Sequence, residues 1–163
     1  MVPIVSIVGR SDSGKTTLIV NLIPVLINRG LRVGTIKHDV HGFEMDHPGK
    51  DSWRHKQAGS SISLISSPKK IGMVMDVDHD HTLDELAPLF PRVDIILAEG
   101  YKRGDKPKIE IFRPAGDEKP LGVDDNTLIA LVTDTDTGID VPSFATDDSP
   151  GLVDFLVKRF SLE

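Results

Sequence analysis

The stretch "VSIVGRSDSGKTTLIVNLI", residues 5–23, decides the fold. An apolar run that reads as a buried strand gives way to a loop rich in glycine and hydroxyl groups, and then to a second apolar run with helical spacing. Gly9, Gly14, Lys15 and Thr16 fill the four fixed positions of Gly-x-x-x-x-Gly-Lys-Thr, the phosphate-binding P-loop pattern. The physical reason is local. Backbone donors at a helix start point outward, the helix dipole favours an anion there, and the glycines let phosphate oxygens approach the backbone closely. Gly14 and its neighbours supply the cradle, Arg10, Ser11, Asp12 and Ser13 fill the variable positions, and Thr17 follows. Lys15 is expected to reach the β and γ phosphates, and the Thr16 hydroxyl to ligate Mg²⁺.

Outward from this motif, residues 3–8 read as a short strand. The next helix carries Leu18, Ile19, Leu22, Ile23, Leu26 and Ile27 at helical spacing, and Val20 and Val25 extend the apolar surface around most of its circumference. That pattern predicts a largely buried helix, ended by Gly30, with a kink or break at Pro24 where a backbone donor is missing. "LRVGTIKH" (31–38) reads as a second strand, "GKDSWRHKQAG" (49–59) as a short polar helix, and "SISLIS" (61–66) and "IGMVMDV" (71–77) as further strands. In "HTLDELAPLF" (81–90), Thr82 and Glu85 have capping-box spacing. "VDIILAEG" (93–100) and "TLIALVTD" (127–134) are buried runs suited to parallel strands, while "KPKIEIFR" (106–113) alternates like a half-exposed strand. "SPGLVDFLVKRF" (149–160) predicts a closing helix with Ser149 as cap and Pro150 at its first position. Strands alternating with helices predict an α/β class: a single P-loop NTPase domain over residues 1–163, with a mostly parallel central sheet flanked by helices.

Composition narrows the chemistry. The 163 residues include no cysteine, which excludes disulfides, thiolate metal sites and cysteine nucleophiles and agrees with a cytoplasmic location. A net charge of −6 disfavours a nucleic-acid backbone as main partner. No apolar run approaches the roughly 18 residues that suggest a membrane span, and "MVPIVSIVGR" lacks a basic leader region, so neither membrane insertion nor processing is expected.

The P-loop alone does not choose between kinases, GTPases and ATP-driven switches. The blocks "KHDVHGFEMDHPGKDSWRHKQAG" (37–59), "AEGYKRGDKPKIEIFR" (98–113) and "ALVTD" (130–134) do narrow the choice. Together they resemble the MobB family of molybdopterin guanine dinucleotide biosynthesis, along nearly the whole chain. The resemblance implies a GTP-binding adapter with weak intrinsic hydrolysis, dimeric, assisting the guanylyltransferase, usually called MobA, that joins GMP to molybdopterin. Other functions the residues admit are a metal-delivery GTPase for nickel enzymes and a small-molecule kinase.

The residues of those blocks have readings of their own. Lys37, His38 and Asp39 end a predicted parallel strand, at the end where ligands bind in open α/β sheets. Lys50, Asp51 and Arg54 sit on the short polar helix, either closing over a phosphate or forming a solvated face above Trp53. Glu99 ends a strand beside the loop and is the candidate to hold Mg²⁺ through a water, and with Lys15 it is the candidate catalytic pair. Asp94, at the start of the same strand, competes with it. Lys102 and Lys108 would keep the adjacent surface positive. The guanine motif Asn-Lys-x-Asp is absent, so Thr133 and Asp134 in "ALVTD" are the candidates to read the base. "MDVDHDHT" (75–82) invites a metal-site reading through Asp76, Asp78, His79, Asp80 and His81, although a polar loop is expected there in any case. For the dimer, "KPKIEIFR" and its surroundings are the expected contact, since an alternating strand late in the sheet can present an unpaired edge that needs covering.

Overall fold

Ile4–Val8 (β1) is buried along its whole length, and it is the strand around which the sheet is built. The computed structural model describes residues 1–114, 116 and 118–162. In chain order β1 leads through the glycine loop into α1 (Lys15–Asn28) and then β2 (Val33–Lys37). Next come α2 (Asp51–Gln57), β3 (Ile62–Ser66) and β4 (Ile71–Met75), followed by α3 (Leu83–Leu86) with a 3₁₀ turn at Ala87–Leu89. β5 (Ile95–Glu99), β6 (Lys108–Ile111), β7 (Leu128–Val132), β8 (Ser143–Phe144) and α4 (Ser149–Phe160) complete it. These elements fall into two units, Met1–His38 with Thr82–Glu163, and Asp39–His81.

In the larger unit six strands lie in the order β2-β5-β1-β6-β7-β8, and every neighbouring pair is parallel. This is the α/β architecture with a parallel central sheet that the alternating pattern predicts. One face is closed by Leu18, Ile19, Leu22 and Leu26 of α1 and Leu152, Val153 and Leu156 of α4, packed on Val5, Ile7, Leu97, Ile109 and Ala130. The other face buries Ile4, Ile96 and Ala98 beneath Leu83 and Phe90. Thr82 caps α3 with the predicted box: its hydroxyl accepts from Glu85 N–H, and the Glu85 carboxylate accepts from Thr82 N–H.

The structure corrects three expectations. α1 runs unbroken through Pro24, because the proline lies on the solvent side with exposed Val20 and Ile27, where water can satisfy the carbonyl that loses its donor. The helix therefore buries one face and leaves an apolar stripe outside. α4 is capped by Asp148, whose carboxylate accepts from Gly151 N–H; Ser149 is the first helical residue. β6 is the third correction: the segment expected to be a half-exposed edge lies between β1 and β7 and is buried throughout. Its charges have internal partners. Lys108, 4% exposed, donates to Asp125 Oδ2, Thr127 Oγ1 and the Gly104 carbonyl, and Glu110, 1% exposed, accepts from Leu121 and Gly122 N–H. The unpaired edge expected to carry a dimer contact here does not exist, because β6 is paired on both sides.

In the smaller unit β3 and β4 form an antiparallel hairpin, with Ile62 opposite Met75, Leu64 opposite Met73 and Ser66 opposite Ile71. Cross-strand partners share a face, so Ile62, Leu64, Ile71, Met73 and Met75 line up on one side. All five are between 40% and 69% exposed. α2 packs against β3, where Ser63 Oγ donates to the Ser52 carbonyl. Among the described residues, no helix is long and apolar enough to cross a membrane.

Candidate functional site

At the carboxyl end of β1 the chain turns through Gly9 to Gly14 and enters α1. Only glycine fits the first turn: φ at Gly9 is +150°, and a Cβ there would lie 2.6 Å from the Ile111 carbonyl oxygen and 2.7 Å from Ser13 Oγ. Gly14 caps the helix in the left-handed region, at φ 100° and ψ 18°, and its carbonyl accepts the first helical bond from Leu18 N–H. Asp12 has a positive φ of 57°, and the buried Ser13 hydroxyl has no hydrogen-bond partner among the described residues. The loop encloses a polar cleft of about 470 Å³, lined by Ser11, Asp12 and the run from Gly14 to Thr17. Lys37 and Glu99 complete its lining.

The cleft brings together the cation and the oxygens that phosphate and magnesium chemistry needs. Lys15 Nζ donates to the Arg10 carbonyl at 2.7 Å, folded back over its own loop. Thr16 Oγ1 donates to Glu99 Oε2 at 2.8 Å, so the two expected magnesium-binding groups share one corner. A hydroxyl and a carboxylate are the hard oxygen donors that Mg²⁺ takes, and the donor set fits that ion. Asp94 is engaged elsewhere. Hydrogen bonds from Arg32, at 2.9 and 3.1 Å from its guanidinium and 2.8 Å from its backbone, hold the Asp94 carboxyl down at about 2.

Lys37 ends β2 beside Glu99, and His38 N–H donates to the Glu99 carbonyl at 3.0 Å, carrying the β2–β5 ladder one residue further. The His38 ring stacks on Tyr101 with centroids 4.5 Å apart. Arg10 is paired with Glu118 at 3.2 Å. Asp134 also has partners. One oxygen accepts from Thr146 N–H at 2.9 Å and the other from the Thr146 hydroxyl at 2.8 Å, bonds that lower its pKa. Thr133 is buried, and its hydroxyl accepts from Thr135 N–H.

Lys50, Asp51 and Arg54 belong to the other unit. Lys50 precedes α2, and Arg54 lies 3.9 Å from Asp51 in an exposed pair. Asp39 accepts from His41 N–H in the same unit. In the histidine-rich segment Asp76 takes Lys56 Nζ at 2.5 Å, Asp78 lies 2.6 Å from His79 Nδ1, and the His79 and His81 rings stack. Among the described residues no group of three or more histidine, aspartate or glutamate side chains is arranged to hold a metal ion.

One residue beside Gly14, outside the lining of the cleft itself, is absent from the sequence reading. Arg113 follows β6, and its guanidinium Cζ and Nη1 come within 3.7 Å of a Cβ position built on Gly14. The rule that ligands bind at the carboxyl ends of parallel strands points to it once β6 is seated beside β1.

The family model described as molybdopterin guanine dinucleotide synthesis protein B matches residues 4–134. A Haemophilus influenzae protein named molybdopterin-guanine dinucleotide biosynthesis adapter protein is 38% identical over 157 residues, covering 95% of this chain and 88% of its own. An Escherichia coli protein of the same name is 35% identical over 164 residues, covering 97% and 93%. Among solved structures, a crystal structure of molybdopterin-guanine biosynthesis protein B superposes with a TM-score of 0.77 at 28% identity, over 97% of this chain and 99% of that one. Bacillus subtilis MobB gives 0.72 at 28%, over 96% and 97%.

Proposed function

This chain belongs to the molybdopterin guanine dinucleotide synthesis protein B family, and on that premise we propose that it is a GTP-binding adapter acting in the cytoplasm, which assists a molybdopterin guanylyltransferase in attaching GMP to molybdopterin. The observation that carries the reading is the corner where Thr16 and Glu99 meet at 2.8 Å beside Lys15 and Lys37. Backbone N–H groups from Gly14 onward would bind the phosphates, and Lys15 would exchange the Arg10 carbonyl for their terminal oxygens. Thr16 and Glu99 would hold Mg²⁺, and the ion would neutralise charge on the phosphate oxygens. Thr133 and Asp134, just after β7, are in this reading the residues that read the base, and the family name supports a preference for guanine over adenine.

Hydrolysis by the isolated protein is slow. Fast turnover needs a positioned water and often an arginine finger, together worth about 10³ to 10⁵ in rate. The arginine inside the loop, Arg10, is tied to Glu118. The protein also forms a homodimer in this reading, and the apolar hairpin face of β3 and β4 supports it, since exposed patches of this kind mark interaction surfaces.

The test is reactivation of a molybdoenzyme by guanylyltransferase, GTP and molybdopterin, with and without this protein. Added wild-type protein should raise reactivation, and Lys15→Ala should not. An equal yield in all three reactions sinks the adapter role, and hydrolysis faster than about one per second by the isolated chain would make it an independent enzyme.

A further inference from the structure

We infer that Arg113 holds the α-phosphate of the bound nucleotide, on the side of the loop opposite Thr16 and Glu99. The inference rests on the nucleotide-binding reading above and adds a residue and a polarity to it. β1 has β5 on one side and β6 on the other, all parallel, so all three strands deliver their carboxyl ends to the phosphate loop. The β5 side contributes Glu99, and beyond it β2 contributes Lys37. The β6 side contributes Arg113.

The end of β6 that carries Arg113 is seated by packing. Ile111, two residues earlier, sets its carbonyl 2.6 Å from the Cβ position of Gly9 and its Cδ1 3.4 Å from that of Gly14, so the end of β6 is seated against both glycines of the motif. Arg113 then lays its guanidinium over Gly14, where the phosphate cradle starts.

Its charge is available. Arg10 and Arg32 are each paired with a carboxylate, and Lys15 is bonded to a carbonyl. Around the cleft Lys37 and Arg113 are the cations with no hydrogen bond or ion pair among the described residues, and they stand on opposite sides of β1. Asp134 is near enough to interact with Arg113 through charge, but its oxygens already accept from Thr146.

A nucleoside triphosphate has to lie across this loop in one direction. Lys15, Thr16, Glu99 and Lys37 concentrate metal and terminal-phosphate chemistry on the β5 side, which leaves the α-phosphate and nucleoside on the side of β6 and β7. A planar guanidinium there matches phosphate geometry.

Calorimetric titration of the full chain with Mg·GTP, Mg·GDP and the two diastereomers of α-thio GTP tests this. Arg113→Gln should weaken GTP and GDP by the same factor, on the order of 10 to 100. Arg113→Lys should recover part of the loss, and the difference between the α-thio diastereomers seen with wild-type protein should shrink in Arg113→Gln. Wild-type affinity in Arg113→Gln overturns the proposal, as does a loss confined to GTP, which would put the cation at the γ-phosphate. Loss in Lys15→Ala alone would leave the nucleotide site standing without Arg113. If the wild-type chain binds neither nucleotide, the nucleotide reading fails and this inference with it.

Discussion

Thr16 and Glu99 are 83 residues apart in sequence, yet the hydroxyl of one donates to the carboxylate of the other at 2.8 Å. Parallel pairing makes that contact: Ile7 of β1 is in register with Glu99 of β5, so the acidic residue arrives where the loop opens. Glu99→Gln and Thr16→Ala should each lower the Mg²⁺-dependent part of nucleotide affinity by about 10- to 100-fold, the usual effect of losing a group that holds or orients a metal. Titrations with and without EDTA check this, and an unchanged metal dependence in both variants would remove the pair from the magnesium site.

Gly9→Ala should damage the loop from within. The added methyl meets the Ile111 carbonyl and Ser13 Oγ at under 3 Å, and the carbonyl belongs to a central strand that cannot easily move. A loss of roughly 1 to 3 kcal/mol in urea denaturation is expected, with loss of nucleotide binding under conditions where the variant is still folded. Wild-type stability would mean that the turn relaxes more readily than its geometry suggests.

The fold and the site were legible where the signal is local. The P-loop, the Thr82–Glu85 box and the apolar strands state their structure within a few residues. β6 was misread because Lys108 and Glu110 alternate with isoleucines, which normally marks a solvent face. Their partners, Asp125, Thr127 and the N–H groups of Leu121 and Gly122, come from a later loop that no local pattern connects to them. Arg113 was passed over for the same reason, since its place depends on which strand lies next to β1. The exposed stripe on α1 was hidden because helical spacing counts apolar residues without telling which face meets the sheet.

Acid should loosen the loop over β6. Burial would raise the Asp125 carboxyl, but hydrogen bonds from Lys108 and Thr127 outweigh it and hold it at about 2, below its ordinary 3.8. A carboxyl depressed in the folded state contributes stability above its ordinary pKa and loses it as pH falls through the folded value. Unfolding free energy should therefore decline between about pH 4 and pH 2. Asp125→Asn should be less stable at neutral pH and show a shallower decline, measured by urea denaturation across that range. Asp94, held at about 2 by Arg32, contributes in the same window, so Asp94→Asn should flatten the slope further. An undiminished slope in the double variant would assign the acid response to other groups.

The hairpin face should govern self-association. Leu64 and Met73 are cross-strand partners at its middle, both exposed, so Leu64→Lys places a charge in the apolar patch without disturbing the core. Light scattering should give a dimer for wild-type protein at micromolar concentration and a monomer for the variant. A wild-type monomer removes the dimer, and a variant that still dimerises moves the contact to another surface.

The central place of β1 also shapes how the chain comes off the ribosome. Its two sheet neighbours begin only at Ile95 and Lys108, so β1 has no partner in the sheet until synthesis has reached β5. At roughly 5 to 20 residues per second that interval is on the order of ten seconds, during which a bare apolar segment waits in the nascent chain. Such a strand is a natural target for chaperones that act during translation. Ribosome-bound chains stalled before residue 95 should then expose β1 to protease, and chains stalled far enough past residue 111 for β6 to clear the exit tunnel should protect it.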